Sequence, residues 1–179
     1  MSNIPSGNLA GNRSNVSELD SYATPSSATH SLMKRIKFEG IIWEPACGDG
    51  DMLRVLEQYN PSMGSDIVTG DDFLKANSML SVPNIITNPP YKLAEQFVRQ
   101  ANKLASEKVA MFLRLNFLES QGRYQMFKSL PLEWVLVFCK RQTLHPKDVI
   151  VTTGGTIAYA WFIWNKTYKG NPQIDWIND

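Results

Sequence analysis

Asn88, Pro89, Pro90 and Tyr91 form the run whose residue types are best suited to chemistry, and they follow a β-branched segment at 85–87. Two consecutive prolines lock their own φ angles and donate no backbone hydrogen bonds, so the end of this predicted strand is stiff. The Asn88 side-chain oxygen and the Pro89 carbonyl are two rigid acceptors, each able to take one N–H of a planar amine. Tyr91 offers a flat ring on which an aromatic base would stack.

A second candidate site is the glycine turn at 46–50, between a short apolar run and a helical pattern. Gly48 and Gly50 would let the backbone approach a ligand at the start of a helix, although a purely structural turn is an equal alternative. The turn and its neighbours hold three carboxylates and no Lys or Arg: Glu44, Asp49 and Asp51. This charge is unfavourable for a phosphate and favours a cationic ligand.

Asp66 is the next carboxylate of interest, because it lies sixteen residues after Gly50 at the end of the second predicted strand. A carboxylate in that position is suited to hold the two hydroxyl groups of a ribose. A role as an ordinary surface residue is the alternative.

Predicted strands and helices alternate along the chain. The strands lie near 41–43, 63–67, 85–87, 108–115, 134–139 and 156–164, and the helices near 26–36, 52–59, 92–106 and 120–130. Ser26 or Ser27 is the expected N-cap of the first helix. The alternation predicts an α/β fold with a mostly parallel sheet and helices on both faces, ending in an antiparallel hairpin. Ligands of such sheets bind beyond the carboxyl ends of the strands, where both candidate sites lie.

The composition indicates one globular domain, since the chain has 179 residues of which 43% are hydrophobic. We expect a flexible tail at 1–20, rich in Ser, Asn and Gly, and a single domain at 21–179. The chain has no apolar run of about 18 residues and its tail lacks a signal-peptide core, so a cytoplasmic location is predicted. Cys47 and Cys139 are the only cysteines and form no CxxC pair. Neither a disulfide framework nor a zinc site is expected.

Charge is distributed unevenly although the net charge is only +1. Residues 1–72 hold ten acidic and five basic residues, whereas residues 73–179 hold thirteen basic and seven acidic ones. If the basic residues share a face, that face would suit a polyanion, and a lopsided solvated surface is an equal alternative.

The loop at 141–155 is longer than a connection needs and is a functional candidate. The candidate phosphate contacts are Lys92, Arg99, Lys140, Arg141 and Lys147.

In their order along the chain, the segments YATP, EPACGDG, GSDI, DDFL and NPPY resemble the motifs of S-adenosylmethionine-dependent methyltransferases. The resemblance is strongest to the N6-adenine DNA methyltransferases, whose cofactor-binding N-terminal motif precedes the glycine turn. It covers residues 22–91 by motif and rests on the order of strands and helices as far as residue 164. It implies a Rossmann-like methyltransferase sheet, S-adenosylmethionine as cofactor with S-adenosylhomocysteine as product, and no metal.

The resemblance also implies a role for each matching residue. Those implied near the methionine portion of the cofactor are Tyr22, Ala23, Thr24, Glu44, Ala46, Cys47, Gly48, Asp49 and Gly50. Asp66 matches the ribose-binding carboxylate, Asp72 the acceptor from the adenine amine, and Phe73 an apolar neighbour of that ring. The catalytic motif is matched by Asn88, which would also contact the cofactor, and by Pro89, Pro90 and Tyr91. A simple turn at Thr24 and a core position for Phe73 are the alternatives.

Three features depart from the family pattern. Only five residues separate Asp66 from Asp72, where the family usually has a helix and a strand, so one edge element of the sheet is expected to be missing. No segment is long enough for the family's target-recognition region. The aromatic residue expected near the start of the final hairpin is represented at best by His145.

The leading hypothesis is a minimal methyltransferase acting on the N6 amine of adenine in DNA, with the base flipped out or presented in a single strand. The expected substrate contacts are Tyr91, Lys92, Arg141, His145 and Lys147. Methylation of a protein glutamine or an RNA base amine is one alternative, and a non-catalytic nucleic-acid-binding subunit of the same fold is another. We expect a monomer or small homo-oligomer that acts alone or with a specificity subunit, and no membrane association.

Overall fold

A computed structural model of the protein describes residues 23–77, 79, 81–142 and 157–178. Its helices are α1 (Ser26–Arg35), α2 (Asp51–Leu56), α3 (Ala94–Leu104) and α4 (Tyr124–Ser129). Its strands are β1 (Ile42–Glu44), β2 (Ser62–Gly64), β3 (Val82–Thr87), β4 (Ala105–Arg114), β5 (Leu132–Phe138), β6 (Tyr159–Asn165) and β7 (Gln173–Ile177). Short 3₁₀ turns lie at Ile67–Thr69, Phe73–Lys75, Tyr91–Leu93 and Leu115–Leu118.

The seven strands form one mixed sheet in the order β2-β1-β3-β4-β6-β5-β7. Strands β2, β1, β3 and β4 pair in parallel, whereas β6 pairs antiparallel with both β4 and β5. Strand β7 pairs in parallel with β5, so β6 alone runs against the other described strands. The predicted mostly parallel sheet with an antiparallel hairpin is confirmed. The carboxyl ends of β1–β5 and the start of β6 therefore share one edge.

Helices cover both faces of the sheet, as predicted, because successive residues of the central strands point to opposite sides. On one face, α3 packs against Ile85, Val109 and Met111. On the other, α1 and α2 pack against Ile86 and Ala110. Strand β6 is buried from Tyr159 to Trp164, so the aromatic run YAWFIW is core, as its apolar composition predicts for a strand covered on both faces.

Some element boundaries differ from the prediction. Helix α1 has Pro25 at its N-cap position and no side-chain cap, so the prediction of a Ser26 or Ser27 cap was wrong. Pro25 has a φ of −54° and a ψ of 132°, a non-helical conformation that suits proline because its ring fixes φ near this value. The predicted helix at 92–106 is shorter because residues 91–93 form a 3₁₀ turn before α3. Strand β7 was not predicted, because its residues alternate polar and apolar over only five positions.

The short spacing between Asp66 and Asp72 predicts that one edge element of the sheet is missing, and the edge at β2 has this form. No described strand lies beyond β2, and two 3₁₀ turns follow it in place of a helix and a strand. Asp66 caps the first turn by accepting from the Val68 amide, and Asp72 caps the second by accepting from the Leu74 amide. Each of the two carboxylates is thus held on a short, capped segment.

No helix in the described residues is long and apolar enough to cross a membrane. Within the same residues, no group of three or more His, Cys, Asp or Glu side chains is arranged to hold a metal ion. Cys47 and Cys139 are free thiols.

Candidate functional site

A cavity of about 440 Å³ opens where the carboxyl ends of β1, β2 and β3 meet. Its walls come from residues 23–24, from the segment after β1, from the two turns after β2, from the segment after β3 and from the start of α3. Segments distant in sequence meet here because parallel strands end at one edge of the sheet. The predicted position of a ligand site at this edge therefore coincides with a real cavity.

Most of the predicted cofactor-binding residues line this cavity. They are Ala23, Thr24, Glu44, Ala46, Cys47, Gly48, Asp49, Asp66, Asp72, Phe73 and Asn88. Gly50 does not line the cavity, because it occupies the N-cap position of α2 behind the turn. Tyr22 lies outside the described residues.

The glycine turn is a left-handed turn that only glycine adopts easily. Gly48 has a φ of +50° and Gly50 a φ of +79°. A Cβ built at Gly48 meets no atom within 4 Å, so the peptide there faces open space. The Cys47 amide donates to the Ser65 carbonyl at 3.1 Å, which ties the turn to the end of β2. The turn therefore offers bare backbone to a ligand while the neighbouring segment holds it in place.

Asp66 joins the glycine turn to the segment after β2. One carboxylate oxygen accepts from the Gly48 amide at 2.8 Å, and the other accepts from the Val68 amide at 2.9 Å. The residue is only 9% exposed. Each carboxylate oxygen has a second lone pair, so Asp66 can still accept hydrogen bonds from a ligand in the cavity.

Glu44, the last residue of β1, is a buried acid at the wall of the cavity. It is 2% exposed, and its Oε2 atom has no hydrogen-bond partner among the described residues. Burial, opposed by a hydrogen bond from the Leu53 backbone and aided by the nearby Asp51 and Asp66 carboxylates, raises the pKa of Glu44 to about 8. A buried carboxyl group without a partner for one oxygen is costly unless a donor or a cation completes it.

The cavity wall is acidic as a whole. Among the residues that the structure describes, it contains the acidic side chains of Glu44, Asp49, Asp51, Asp66, Asp71 and Asp72 and no Lys or Arg side chain. This arrangement attracts a cation and repels a phosphate, as the sequence predicted for the glycine turn.

Asp72 and Phe73 close the far side of the cavity. Asp72 forms an ion pair of 2.9 Å with the exposed Lys75, and this contact lowers the pKa of Asp72. Phe73 is 3% exposed and packs edge-on against Trp43, with ring centroids 5.3 Å apart. It also contacts Phe97 at a centroid distance of 4.9 Å. Phe73 is thus a core residue that also presents apolar surface to the cavity, which reconciles its two predicted roles.

The predicted catalytic motif, residues 88–91, begins at the cavity. The Asn88 Nδ2 atom donates a hydrogen bond to the buried Thr24 hydroxyl at 3.0 Å. Pro89 is buried and Pro90 lines the cavity. The Asn88 side chain is therefore held from one end by Thr24 and from the other by a proline-stiffened backbone.

Tyr91 is not among the residues that line the cavity, and it packs beside the end of β4 and the start of β6. Its hydroxyl donates to the Tyr159 hydroxyl at 3.1 Å, and burial raises the pKa of the Tyr91 phenol. The Arg114 guanidinium carbon lies 4.1 Å from the centre of the Tyr91 ring, in a cation–π contact. One face of the ring predicted to stack a base is thus covered by a cation.

The structure describes only some of the residues predicted to contact the substrate. Lys92 and Arg141 are exposed, and both follow strands that end at the edge carrying the cavity. Arg99 forms an ion pair with Glu95 on the surface of α3, at 2.8 Å. His145 and Lys147 lie outside the described residues, as does most of the loop at 141–155.

Sequence reasoning missed the hydrogen bond from Asn88 to Thr24 and the contact of Arg114 with Tyr91. The apolar run KVAMFLRL did carry a signal, because Arg114 is a charged residue at the end of an otherwise apolar buried strand. A charge in that position usually marks a polar site at the strand end.

Comparison with known proteins reveals structural but not sequence similarity. No protein-family model matches the chain, and no curated protein sequence matches it significantly. A modification subunit assigned to a type I restriction enzyme of Vibrio vulnificus YJ016 superposes with a TM-score of 0.60 at 12% identity, over 93% of this chain and 48% of that one. The M protein of the type I restriction enzyme EcoKI superposes with a TM-score of 0.59 at 15% identity, over 86% of this chain and 46% of that one.

In a third solved structure, this chain matches a larger share of the other protein. The 23S rRNA methyltransferase ErmE superposes with a TM-score of 0.54 at 14% identity, over 84% of this chain and 70% of that one. The chain thus spans about half the length of the two restriction-enzyme subunits. The likeness shows that the chain has the Rossmann-like methyltransferase fold.

Proposed function

We propose that this protein transfers a methyl group from S-adenosylmethionine to the exocyclic N6 amine of adenine in DNA. The observation that supports the proposal most is the hydrogen bond between Thr24 and Asn88, because it joins an acidic cavity suited to a cationic cofactor to the proline-stiffened run 88–91. The fold and its likeness to modification subunits of restriction enzymes agree with this function.

The residues of the cavity fit S-adenosylmethionine. Glu44 has a buried carboxylate oxygen without a partner, which suits the ammonium group of the methionine portion. Gly48 presents open backbone, and Asp66 is positioned to accept from ribose hydroxyls. Phe73 would contact the adenine ring, and Asp72 its amine. When bound, S-adenosylmethionine would supply a methyl group on a sulfonium centre, whose sulfur leaves with the electron pair of the broken bond.

Asn88 and Pro89 would orient the target nitrogen. An exocyclic amine on an aromatic ring is a poor nucleophile because its lone pair is delocalised. If the Asn88 side-chain oxygen and the Pro89 carbonyl each accept one N–H, the nitrogen becomes more tetrahedral and its lone pair faces the cavity. Because Thr24 takes a hydrogen bond from the Asn88 amide nitrogen, the amide oxygen points the other way. Rigid alignment of this kind contributes several kcal/mol to catalysis.

Tyr91 would hold the base and help to exclude water. Its hydroxyl is fixed by Tyr159, so the ring plane is set before a substrate arrives. Stacking of a base on an aromatic ring contributes about 1–3 kcal/mol. No side chain needs to take the amine proton before methyl transfer, because the proton can leave to water once the nitrogen has been methylated.

Transfer to an RNA base is the second candidate function, and the likeness to an rRNA methyltransferase favours it. The chemistry of the site would be the same, since adenine carries the same amine in both nucleic acids. The hydrogen-bonded groups described above do not distinguish deoxyribose from ribose.

Incubation with radiolabelled S-adenosylmethionine and separate DNA, RNA and protein mixtures tests the proposal, with mass spectrometry of the nucleosides to identify the modified base. We expect label in DNA as N6-methyladenine. Label in protein alone would contradict the proposal, and label in RNA alone would favour the second candidate.

Asn88→Ala supplies the mechanistic control. The variant should lose methyl transfer while its affinity for S-adenosylhomocysteine, measured by calorimetry, stays close to that of the wild type. Lys169→Gln serves as the matched surface variant, because Lys169 is exposed beyond the opposite end of β6. An Asn88→Ala variant as active as Lys169→Gln would refute the role of Asn88.

A further inference from the structure

Arg114 lies at the edge of the sheet that carries the cavity, but outside the cavity itself. It is the last residue of β4 and pairs across the ladder with Tyr159, the first residue of β6. Tyr159 in turn accepts from the Tyr91 hydroxyl, and the Arg114 guanidinium covers the Tyr91 ring. Arg114 is therefore placed beside the position proposed for the target base.

The charge of Arg114 has no anionic partner in the described part of the chain. Elsewhere in those residues, Arg35, Arg54 and Arg99 pair with carboxylates, and Arg123 donates to two backbone carbonyls. Arg114 forms no such ion pair, and its Nε atom is buried without a hydrogen-bond partner. The guanidinium contacts the side chain of Tyr91, which is neutral. A part-buried cation without a counter-charge is costly, which indicates that a ligand supplies an anionic acceptor.

We propose that Arg114 binds a phosphate of the nucleic-acid strand at the target nucleotide, and that this contact selects a nucleic acid over a protein substrate. The inference rests on the proposed function, because it takes Tyr91 as the residue that stacks the target base. A guanidinium is well suited to this role, since its planar fork matches phosphate oxygens and stays charged at any physiological pH.

The distribution of charge around the site agrees with a phosphate at Arg114. The described wall of the cofactor cavity has six acidic side chains and no basic one. Outside it, Lys92, Lys140 and Arg141 are exposed and follow strands that end at the same edge as Arg114. An anionic strand would thus be repelled from the cofactor cavity and attracted to the edge beside it.

The amine to be methylated is a poorer partner for Arg114 than a phosphate. A guanidinium carries donors only, whereas the target amine must give its own N–H groups to Asn88 and Pro89. The nitrogen also gains positive charge as it takes the methyl group, and a neighbouring cation would oppose that change. A phosphate supplies acceptor oxygens and negative charge, which removes both conflicts.

The test compares Arg114→Gln and Arg114→Lys with the wild type, and uses Lys169→Gln as the control that removes one distant positive charge. Binding of a labelled single-stranded DNA oligonucleotide is followed by fluorescence anisotropy across a series of salt concentrations, which requires no methyl transfer. The KM for the same DNA and the kcat of methyl transfer are measured separately. Calorimetry with S-adenosylhomocysteine monitors the integrity of the cofactor site.

We expect Arg114→Gln to weaken DNA binding about tenfold, as for loss of one charged hydrogen bond. The slope of log affinity against log salt should become shallower by about 0.7, the value for one phosphate contact in a single strand. Arg114→Lys should keep the wild-type slope because it keeps the charge. The loss should appear in KM rather than kcat, with cofactor affinity unchanged.

A salt slope of Arg114→Gln equal to those of the wild type and Lys169→Gln would overturn the phosphate contact. Equal methylation of protein by the wild type and Arg114→Gln, with no binding of nucleic acid by either, would overturn it as well. If the salt slope changes as expected but the wild type transfers no methyl group, the phosphate contact stands and the proposed function fails. The two ideas are thus tested separately.

Discussion

The Asn88 amide nitrogen donates a hydrogen bond of 3.0 Å to the Thr24 hydroxyl, across 64 residues of sequence. Thr24 precedes α1, Asn88 follows β3, and both residues line the cavity. The bond therefore links two segments of the cavity wall. The bond also holds the nitrogen end of the Asn88 amide toward Thr24. The orientation of the proposed catalytic oxygen therefore depends on a residue that lies far from it in sequence.

Removing the Thr24 hydroxyl should impair transfer more than cofactor binding. Thr24→Val keeps the shape of the side chain but leaves the part-buried Asn88 nitrogen without this acceptor, and such a loss costs about 1–3 kcal/mol. We expect kcat to fall about tenfold or more, in line with that cost. Thr24→Ser retains the hydroxyl and should retain most of the activity. Steady-state kinetics with DNA checks both variants, and equal kcat values for Thr24→Val and wild type would contradict the role of the bond.

Cofactor binding should release a proton through Glu44. Its folded-state pKa is about 8, so at pH 6.5 the ligand-free protein keeps this carboxyl group protonated. A bound ammonium group favours the ionised form, and binding should therefore release about one proton. Affinity should rise as the pH increases from about 6 to 7.5, because less work is needed to ionise the group.

Calorimetry in buffers of different ionisation enthalpy measures this proton release, with S-adenosylhomocysteine as the ligand. Glu44→Gln removes the titrating group, so the variant should bind with little proton release and a flat pH dependence over the same range. The same proton release in Glu44→Gln as in the wild type would assign the proton to another group.

Asp66→Asn should weaken cofactor binding and destabilise the glycine turn. The carboxylate accepts from the Gly48 and Val68 amides, and an amide side chain can accept from only one of them with its single oxygen. Loss of a hydrogen bond to a charged group costs about 1.5–3 kcal/mol, so both the melting temperature and the affinity should fall. Asp71→Asn is the control, since Asp71 is an exposed acid of the same cavity wall. Equal melting temperatures for the two variants would refute the structural role of Asp66.

The ring of Tyr91, rather than its hydroxyl, should carry the substrate contact. Tyr91→Phe keeps the aromatic face and loses the hydroxyl that bonds to Tyr159, so transfer should fall by a few-fold, corresponding to about 1 kcal/mol. Tyr91→Ala removes the stacking surface and should raise the KM for DNA at least tenfold, given about 1–3 kcal/mol per stacked base. A Tyr91→Phe variant as defective as Tyr91→Ala would show that the hydroxyl is the important group.

Local sequence features predicted most of the fold because they depend on near neighbours. Apolar runs and helical spacing indicated β1–β6 and the four helices to within a few residues, and the short spacing from Asp66 to Asp72 predicted the reduced edge at β2. Strand β7 was missed because its five residues gain their stability from pairing with β5, which no local pattern encodes. The Pro25 cap was missed because serine side chains are the commoner signal.

The amino-acid sequence by itself determined the order of strands and helices, the acidic glycine turn and the proline-stiffened run 88–91, since each is a property of adjacent residues. Tertiary structure alone decided that Thr24 meets Asn88 and that Arg114 covers Tyr91. The physical reason is that both contacts join segments distant in sequence. The Thr24 contact depends on how the segment before α1 packs against the end of β3, and the Arg114 contact depends on strand order and register. Pairing of β3 with β4, and of β4 with β6, brings residues from distant segments to one edge of the sheet.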